Sequence, residues 1–256
     1  MKKAPRRPDD VIPGFVADCQ RAFGPELLSI ILYGSGATAD YIPGKSDLNF
    51  LVVLTEDGIE RLDAAFGLVN RWRKRWVTPP TFVTLEYVHT SLDSFPVEFY
   101  NMQRAYRVIY GEDVLANLRF NHEMLRLQVE RDLKGKLLLL RQAFLEAQGR
   151  GRSLREVIGP SLSAFSSLFA ALLFLMGREV PGTKRDILQE ATGAMELHTS
   201  VFLQLLDIKE GRSKLSDKEL LALFHSYLKE VRQAALFVDR WGKERTPSEE
   251  FRGGTQ

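Results

Sequence analysis

The sequence predicts an α+β protein built in two parts: a mixed β-sheet domain with flanking helices, then an all-α helical bundle. Three observations carry this. Apolar runs at 27–33 and 48–54 flank a Gly34-Ser35-Gly36 turn, which is a strand–turn–strand signature. Strand signals stop near Leu118. Beyond that point Leu125, Val129, Leu133, Leu137, Leu140 and Phe144 recur with helical period along one stripe.

Taken in order, residues 1–10 are Pro-rich and charged and read as a flexible arm. Residues 11–23 carry a helical pattern that Pro25 separates from the strand 27–33. Asp40-Tyr41-Ile42-Pro43-Gly44 is an irregular connection into the strand 48–54, whose unbroken apolar run implies cover on both faces. Residues 57–76 read as one helix, acidic at its start (Glu56, Asp57, Glu60) and basic at its end (Arg71, Arg73, Lys74, Arg75), as the helix macrodipole favours. Pro79-Pro80 ends it. Residues 81–89 and 95–100 read as strands, and 106–111 as an extended piece or a helix end. The first domain thus spans 11–118 and the bundle 119–243, with a flexible tail at 244–256. In the bundle, helices are expected over the stripe that ends at Gly149-Arg150-Gly151, then over 154–176 as one or two, 184–198, and 215–241. Ser216 followed by Glu219 is a capping box for the last of these.

With 256 residues, 45% of them hydrophobic, the chain can bury substantial cores. Its formal charge of +2 argues against nucleic acid as a partner. Cys19 is the only cysteine, which excludes an intrachain disulfide framework and a thiolate zinc cage and fits the reducing cytoplasm. The charged N-terminus carries no secretory signal. Residues 161–176 are uncharged, yet shorter than the roughly 20 residues a spanning helix needs, and read as a bundle core rather than a membrane segment. The histidines at 89, 122, 198 and 225 have no metal-ligand spacing.

The residues that could carry chemistry cluster between 34 and 49. A Gly-Ser turn lets backbone N–H groups approach phosphates without a Cβ in the way. Ser46-Asp47 opens the second strand, and Asn49 follows two residues on, so the pleat directs both side chains to one face. That is the layout of a triphosphate site with a carboxylate to hold metal. Lys45 stands beside it and could touch a phosphate. Glu98 is the candidate third acid, and Glu86 is its rival.

This stretch resembles the nucleotidyltransferase superfamily, which includes DNA polymerase beta, the kanamycin and streptomycin nucleotidyltransferases and the minimal nucleotidyltransferases. The superfamily pattern is an apolar residue, Gly-Ser, a gap, then Asp-x-Asp or Asp-x-Glu inside an apolar strand. The chain matches it as Tyr33-Gly34-Ser35 and Asp47-Leu48-Asn49-Phe50, and departs from it at Asn49. The resemblance covers residues 25–115, and the helical remainder is similar to the bundle of aminoglycoside nucleotidyltransferases in architecture alone. It implies Mg²⁺- or Mn²⁺-dependent transfer of a nucleoside monophosphate, with AMP from ATP favoured, to a hydroxyl of a small molecule or a protein, the bundle shaping the acceptor pocket. Gly34, Ser35, Lys45 and Ser46 would bind the nucleotide. Asp47, Asn49 and Glu98 would hold metal, with Asp47 and Glu98 catalytic. An amide oxygen can ligate Mg²⁺ but is neutral, so Asn49 weakens a site that must hold two dications. The departure supports a second reading from another class: a catalytically degenerate nucleotide-sensing or partner-binding module. The acceptor and the oligomeric state, a homodimer included, stay open.

Two basic stretches have ordinary explanations. Arg71-Trp72-Arg73-Lys74-Arg75-Trp76 reads as a helix terminus with inward-packing tryptophans, against a nucleic-acid patch as the alternative. Arg126, Arg131, Lys134, Lys136 and Arg141 read as a solvated helix face. They argue mildly against a polycationic aminoglycoside as acceptor.

Overall fold

A computed structural model describes residues 4–245, with side chains as far as Trp241. The expectation of a flexible tail at 244–256 falls almost wholly outside the described residues. The chain divides into two compact units, one comprising 1–125 with 181–184, the other 126–180 with 185–256.

The first unit is a four-stranded mixed sheet in the order β3-β2-β1-β4. β1 (Leu27–Tyr33) pairs antiparallel with both β2 (Asn49–Leu54) and β4 (Tyr106–Gly111), while β3 (Thr81–Thr84) runs parallel to β2. Both faces are covered, which is why β1 and β2 read as unbroken apolar runs. On one face Ile30, Leu32, Phe50 and Val52 pack with Phe15, Cys19 and Phe23 of α1 (Ile12–Phe23). Phe15 stacks on Phe50 at 4.2 Å between centroids. On the other, Ile31, Leu51, Val53 and Val83 pack with Val88, Phe99 and Leu115.

Several expectations change here. The single helix at 57–76 is broken into α2 (Glu56–Ile59), a 3-10 turn, α3 (Phe66–Trp72) and a further 3-10 turn at 73–75. Gly58 and Gly67 weaken a continuous helix, and the backbone leaves helical space at Arg61 (φ −111°, ψ 35°). The strand expected at 81–89 stops at Thr84, whose hydroxyl accepts the Tyr87 N–H at 3.1 Å and caps α4 (Leu85–Thr90). The strand expected at 95–100 is a helix, α5 (Pro96–Arg104), with Pro96 in its first turn, where a missing N–H costs nothing. The described part of the expected flexible arm, from Ala4 onward, is tied down. Pro5 is buried, its carbonyl accepts from Tyr41 Oη at 2.9 Å, and Asp9 pairs with Arg107 at 2.7 Å.

The stripe from Leu125 to Leu140 is buried along α6 (His122–Ala147), whose residues from Arg126 onward belong to the second unit, and Phe144 stacks on Phe224. α7 (Gly151–Leu175) runs unbroken through Pro160. By length and composition it could cross a membrane, yet it supplies the core of the bundle: Phe165, Phe169 and Leu172 are buried. α8 (Lys184–Ala194) ends short of the expected 198. A helix the sequence reading did not assign, α9 (Thr199–Glu210), follows and is closed by left-handed Gly211. α10 (Asp217–Arg245) starts at the expected capping box, with Ser216 N–H on Glu219 at 2.9 Å and Glu219 N–H on Ser216 Oγ at 3.3 Å. Tyr227 is fully buried among Phe165, Phe202 and Phe224, and its hydroxyl donates to Ser161 Oγ at 3.3 Å.

Candidate active site

The site grows from the register of β1 against β2. Tyr33, the last residue of β1, is opposite Asn49, the first of β2, so the Gly34-Ser35 turn and the start of β2 share one end of the sheet. Gly34 takes φ +72°, the left-handed region that glycine enters without strain. Its N–H donates to the Ala105 carbonyl at 2.8 Å, so the residue between α5 and β4 fixes the turn and that donor is already engaged. A Cβ on Gly36 would lie 2.9 Å from Leu48 Cδ2 and 3.2 Å from Leu32 Cδ1, so a larger residue there would have to shift these buried leucine ends. Ser35 anchors the same turn through its carbonyl, which accepts Thr38 N–H at 3.3 Å.

Asn49 is held rather than free. Its Oδ1 accepts from Thr78 Oγ1 at 2.9 Å, and its Nδ2 lies 3.7 Å from where a Gly34 Cβ would be. Thr78 is delivered by an extra parallel bridge between Leu48 and Val77. On the same face, Tyr33 Oη and Thr81 Oγ1 lie 3.4 Å apart. β3, the strand next to β2, therefore brings hydroxyls and no carboxylate to this end of the sheet.

Leu48 is buried, so the pleat turns Asp47 and Asn49 away from its core. Asp47 is exposed overall, but crowding of its carboxyl raises its pKa above the usual aspartate value. Ser46 stabilises the approach to it: its Oγ accepts Ile42 N–H at 3.0 Å, and the Lys45 and Ser46 N–H groups both reach the Ile42 carbonyl. Tyr41 in the same loop has a raised pKa, first from burial and then from Asp10 and Asp47.

The structure thus brings Gly34 and Asn49 together, with Ser35 in the same turn and Lys45, Ser46 and Asp47 in the segment that enters β2. Glu98 and Glu86 differ from the sequence expectation. Both stand on helices, Glu98 in the first turn of α5 and Glu86 in the first turn of α4, and both are exposed. Val97, Phe99 and Tyr100 supply α5's buried side, which leaves Glu98 facing outward. Among the described residues no group of three or more His, Cys, Asp and Glu forms a metal cluster. The donor set at the turn is one carboxylate, Asp47, plus an amide oxygen already engaged by Thr78. It fits a single dication carried on a triphosphate.

Sequence reading missed Thr78, Thr81 and Arg104. A parallel β3 necessarily lays the residues before it beside the start of β2, which could have indicated Thr78. Arg104 precedes the carbonyl that holds Gly34. Its Nη1 donates to the Pro181 carbonyl at 3.3 Å, and its Nε is buried with no hydrogen-bond partner among the described residues. Burial lowers its pKa, opposed by Tyr100 and Asp40.

This sheet, with its Gly-Ser turn and following helices, is a nucleotidyltransferase fold. Among solved structures the chain is similar to spectinomycin adenyltransferase AAD(9) from Enterococcus faecialis, crystallised with ATP and spectinomycin. The TM-score is 0.53 at 12% identity, over 86% of this chain and 99% of that one. No protein-family model matches the chain, and no curated protein matches its sequence.

Proposed function

We propose that the chain binds a nucleoside triphosphate, ATP by preference, at the Gly34-Ser35 turn and transfers its AMP to a hydroxyl group of an acceptor, a small molecule before a protein. The observation that carries this is the Tyr33–Asn49 register, which puts the turn and the Asp47 strand at one sheet end. The ATP and spectinomycin bound to the similar adenyltransferase support the nucleotide and a small-molecule acceptor. In the reaction the acceptor oxygen bonds to the α-phosphorus, the bond from that phosphorus to the bridging oxygen breaks, and pyrophosphate leaves as the hydroxyl proton is released. Gly34 and Ser35 position the phosphates, and Asp47 would hold a Mg²⁺ ion carried by the triphosphate, which would supply charge neutralisation at the phosphoryl oxygens. The basic face of α6 is partly neutralised, which lessens its weight against a cationic acceptor. Arg126 and Lys134 are paired with Glu130, and Lys134 also with Asp239. The burial of α7 in the bundle supports a soluble protein, and the lone Cys19 fits the reducing cytoplasm.

A second reading, a non-catalytic nucleotide-binding module, is favoured by the Thr78–Asn49 bond and by the outward, helical placement of Glu98 and Glu86. Thermal unfolding with each NTP, with and without Mg²⁺ or Mn²⁺, tests the site itself. ATP with metal should raise the midpoint of wild type and not of Asp47→Ala. No shift at millimolar nucleotide would remove both readings. Pyrophosphate release with an acceptor panel then separates them. An enzyme releases it and gains turnover in Asn49→Asp, whereas a binding module shows the shift and no release in either form.

A further inference from the structure

Two basic segments distant in sequence meet in the first unit. The N-terminal segment lies against the end of α3, fixed by buried Pro5 and by Val11, which is 2% exposed. Between them is a cavity of about 910 Å³ whose wall includes Arg6, Asp10, Asn70, Arg71, Lys74 and Arg75. The charges in this wall are unequally spent. Arg71 is given to Asp18, with Nη1 2.9 and 3.1 Å from its two carboxylate oxygens. Asp10 turns back onto the Arg7 N–H at 3.0 Å. Arg6 and Lys74 have no ion-pair partner among the described residues, and Arg75 lies over the Trp72 ring at 5.6 Å. In a chain of formal charge +2, three cations without a carboxylate partner among the described residues converge on one concavity.

We propose that this cavity is a binding site for a compact polyphosphate, a small molecule bearing two or more phosphate groups. Guanidinium and ammonium groups are the side chains that recognise phosphate best, the former through paired N–H donors. Several cations around one hollow repel one another until an anion of matching charge lies among them. The volume falls within the roughly 300–1,000 Å³ of small-ligand sites. A nucleic-acid strand needs a long track of phosphate contacts, which a nearly neutral chain does not extend beyond this wall. The site is independent of the Gly34-Ser35 turn. It requires no metal, and Asp47 is not in its wall.

The test is calorimetric titration of the full chain with sodium tripolyphosphate in EDTA, with tryptophan emission as a second readout, since Arg75 covers Trp72. Wild type and Asp47→Ala should bind equally. Lys74→Gln/Arg75→Gln should bind about tenfold more weakly with a shallower salt dependence, and the exposed control Arg152→Gln should match wild type. Circular dichroism confirms that the double variant, altered only at exposed positions, is folded. Absence of saturable binding at millimolar tripolyphosphate overturns the proposal, as does equal binding by the double variant. Equal weakening in Arg152→Gln overturns it too, since it would reduce the binding to the overall charge of the chain. A short oligothymidylate of matched charge should bind no more tightly than tripolyphosphate; tighter binding would replace the compact ligand with a nucleic-acid strand.

Discussion

Among the described residues Asp47 is the carboxylate that leads into β2 beside the nucleotide turn, and folding disfavours its charge. Its pKa in the folded chain is raised by desolvation, so the folded state holds the proton more tightly than the unfolded chain. The sign follows from linkage. Stability from this group is fully present below the ordinary aspartate value of about 3.9 and is lost as pH rises through the raised folded value. At neutral pH the ionised side chain therefore works against folding. Asp47→Asn should melt at the same temperature as wild type or higher at pH 7, the gap closing in acid, while it loses the metal-dependent nucleotide shift. A lower melting temperature for the variant at pH 7 would show that Asp47 is a structural residue. Asn49 shows the complementary economy. With Oδ1 on Thr78 it is satisfied as a neutral group, a bond the sequence did not disclose because Thr78 arrives through strand pairing.

Elements whose signals are local were legible, and those decided by tertiary cover were less so. β1 and β2 follow from their apolar runs, and the Ser216 capping box sets the start of α10. Ser216→Ala removes both a donor and an acceptor at that start. It should lower stability by roughly 0.5–2 kcal/mol in urea denaturation, and a change under a few tenths would mean that packing alone holds the helix end. The two segments misread as strands, 81–89 and 95–100, are β-rich in composition, but each carries a helix-start signal that composition outweighed. Thr84 is a cap, and Pro96 with Glu98 two residues on is a first turn. That misreading concerns the third acid too, because Glu98 stands in the first turn of α5 rather than on a strand of the sheet. The 57–76 segment failed differently. Its acidic and basic ends fall on separate elements, α2 and the end of α3, and Gly58 sits where a Cβ would be 3.0 Å from Glu26 Cβ and 3.1 Å from Leu54 Cβ, so close packing rather than helix propensity set the residue there.

At the scale of the molecule, a sequence with 12% identity to its structural neighbour keeps the same fold because few positions carry it. In this chain they are the apolar runs of a small sheet, left-handed glycines such as Gly34 and Gly211, closely packed glycines such as Gly36 and Gly58, and buried helical stripes. Each unit has its own core: Phe15, Phe50 and Trp72 belong to the first, and Phe165, Phe169, Phe202 and Tyr227 to the second. Cores closed within a unit unfold as cooperative blocks, so calorimetry should resolve two overlapping transitions. Phe15→Ala should lower one of them and Phe169→Ala the other, each by roughly 3–5 kcal/mol as expected for emptying a packed aromatic site. ATP with Mg²⁺ acts by mass action on whichever block carries its site. It should raise the transition that Phe15→Ala lowers, since the Gly34-Ser35 turn and Asp47 belong to that unit. A shift confined to the Phe169→Ala transition would move nucleotide binding to the bundle. A single transition lowered equally by both substitutions would show that the two cores unfold as one.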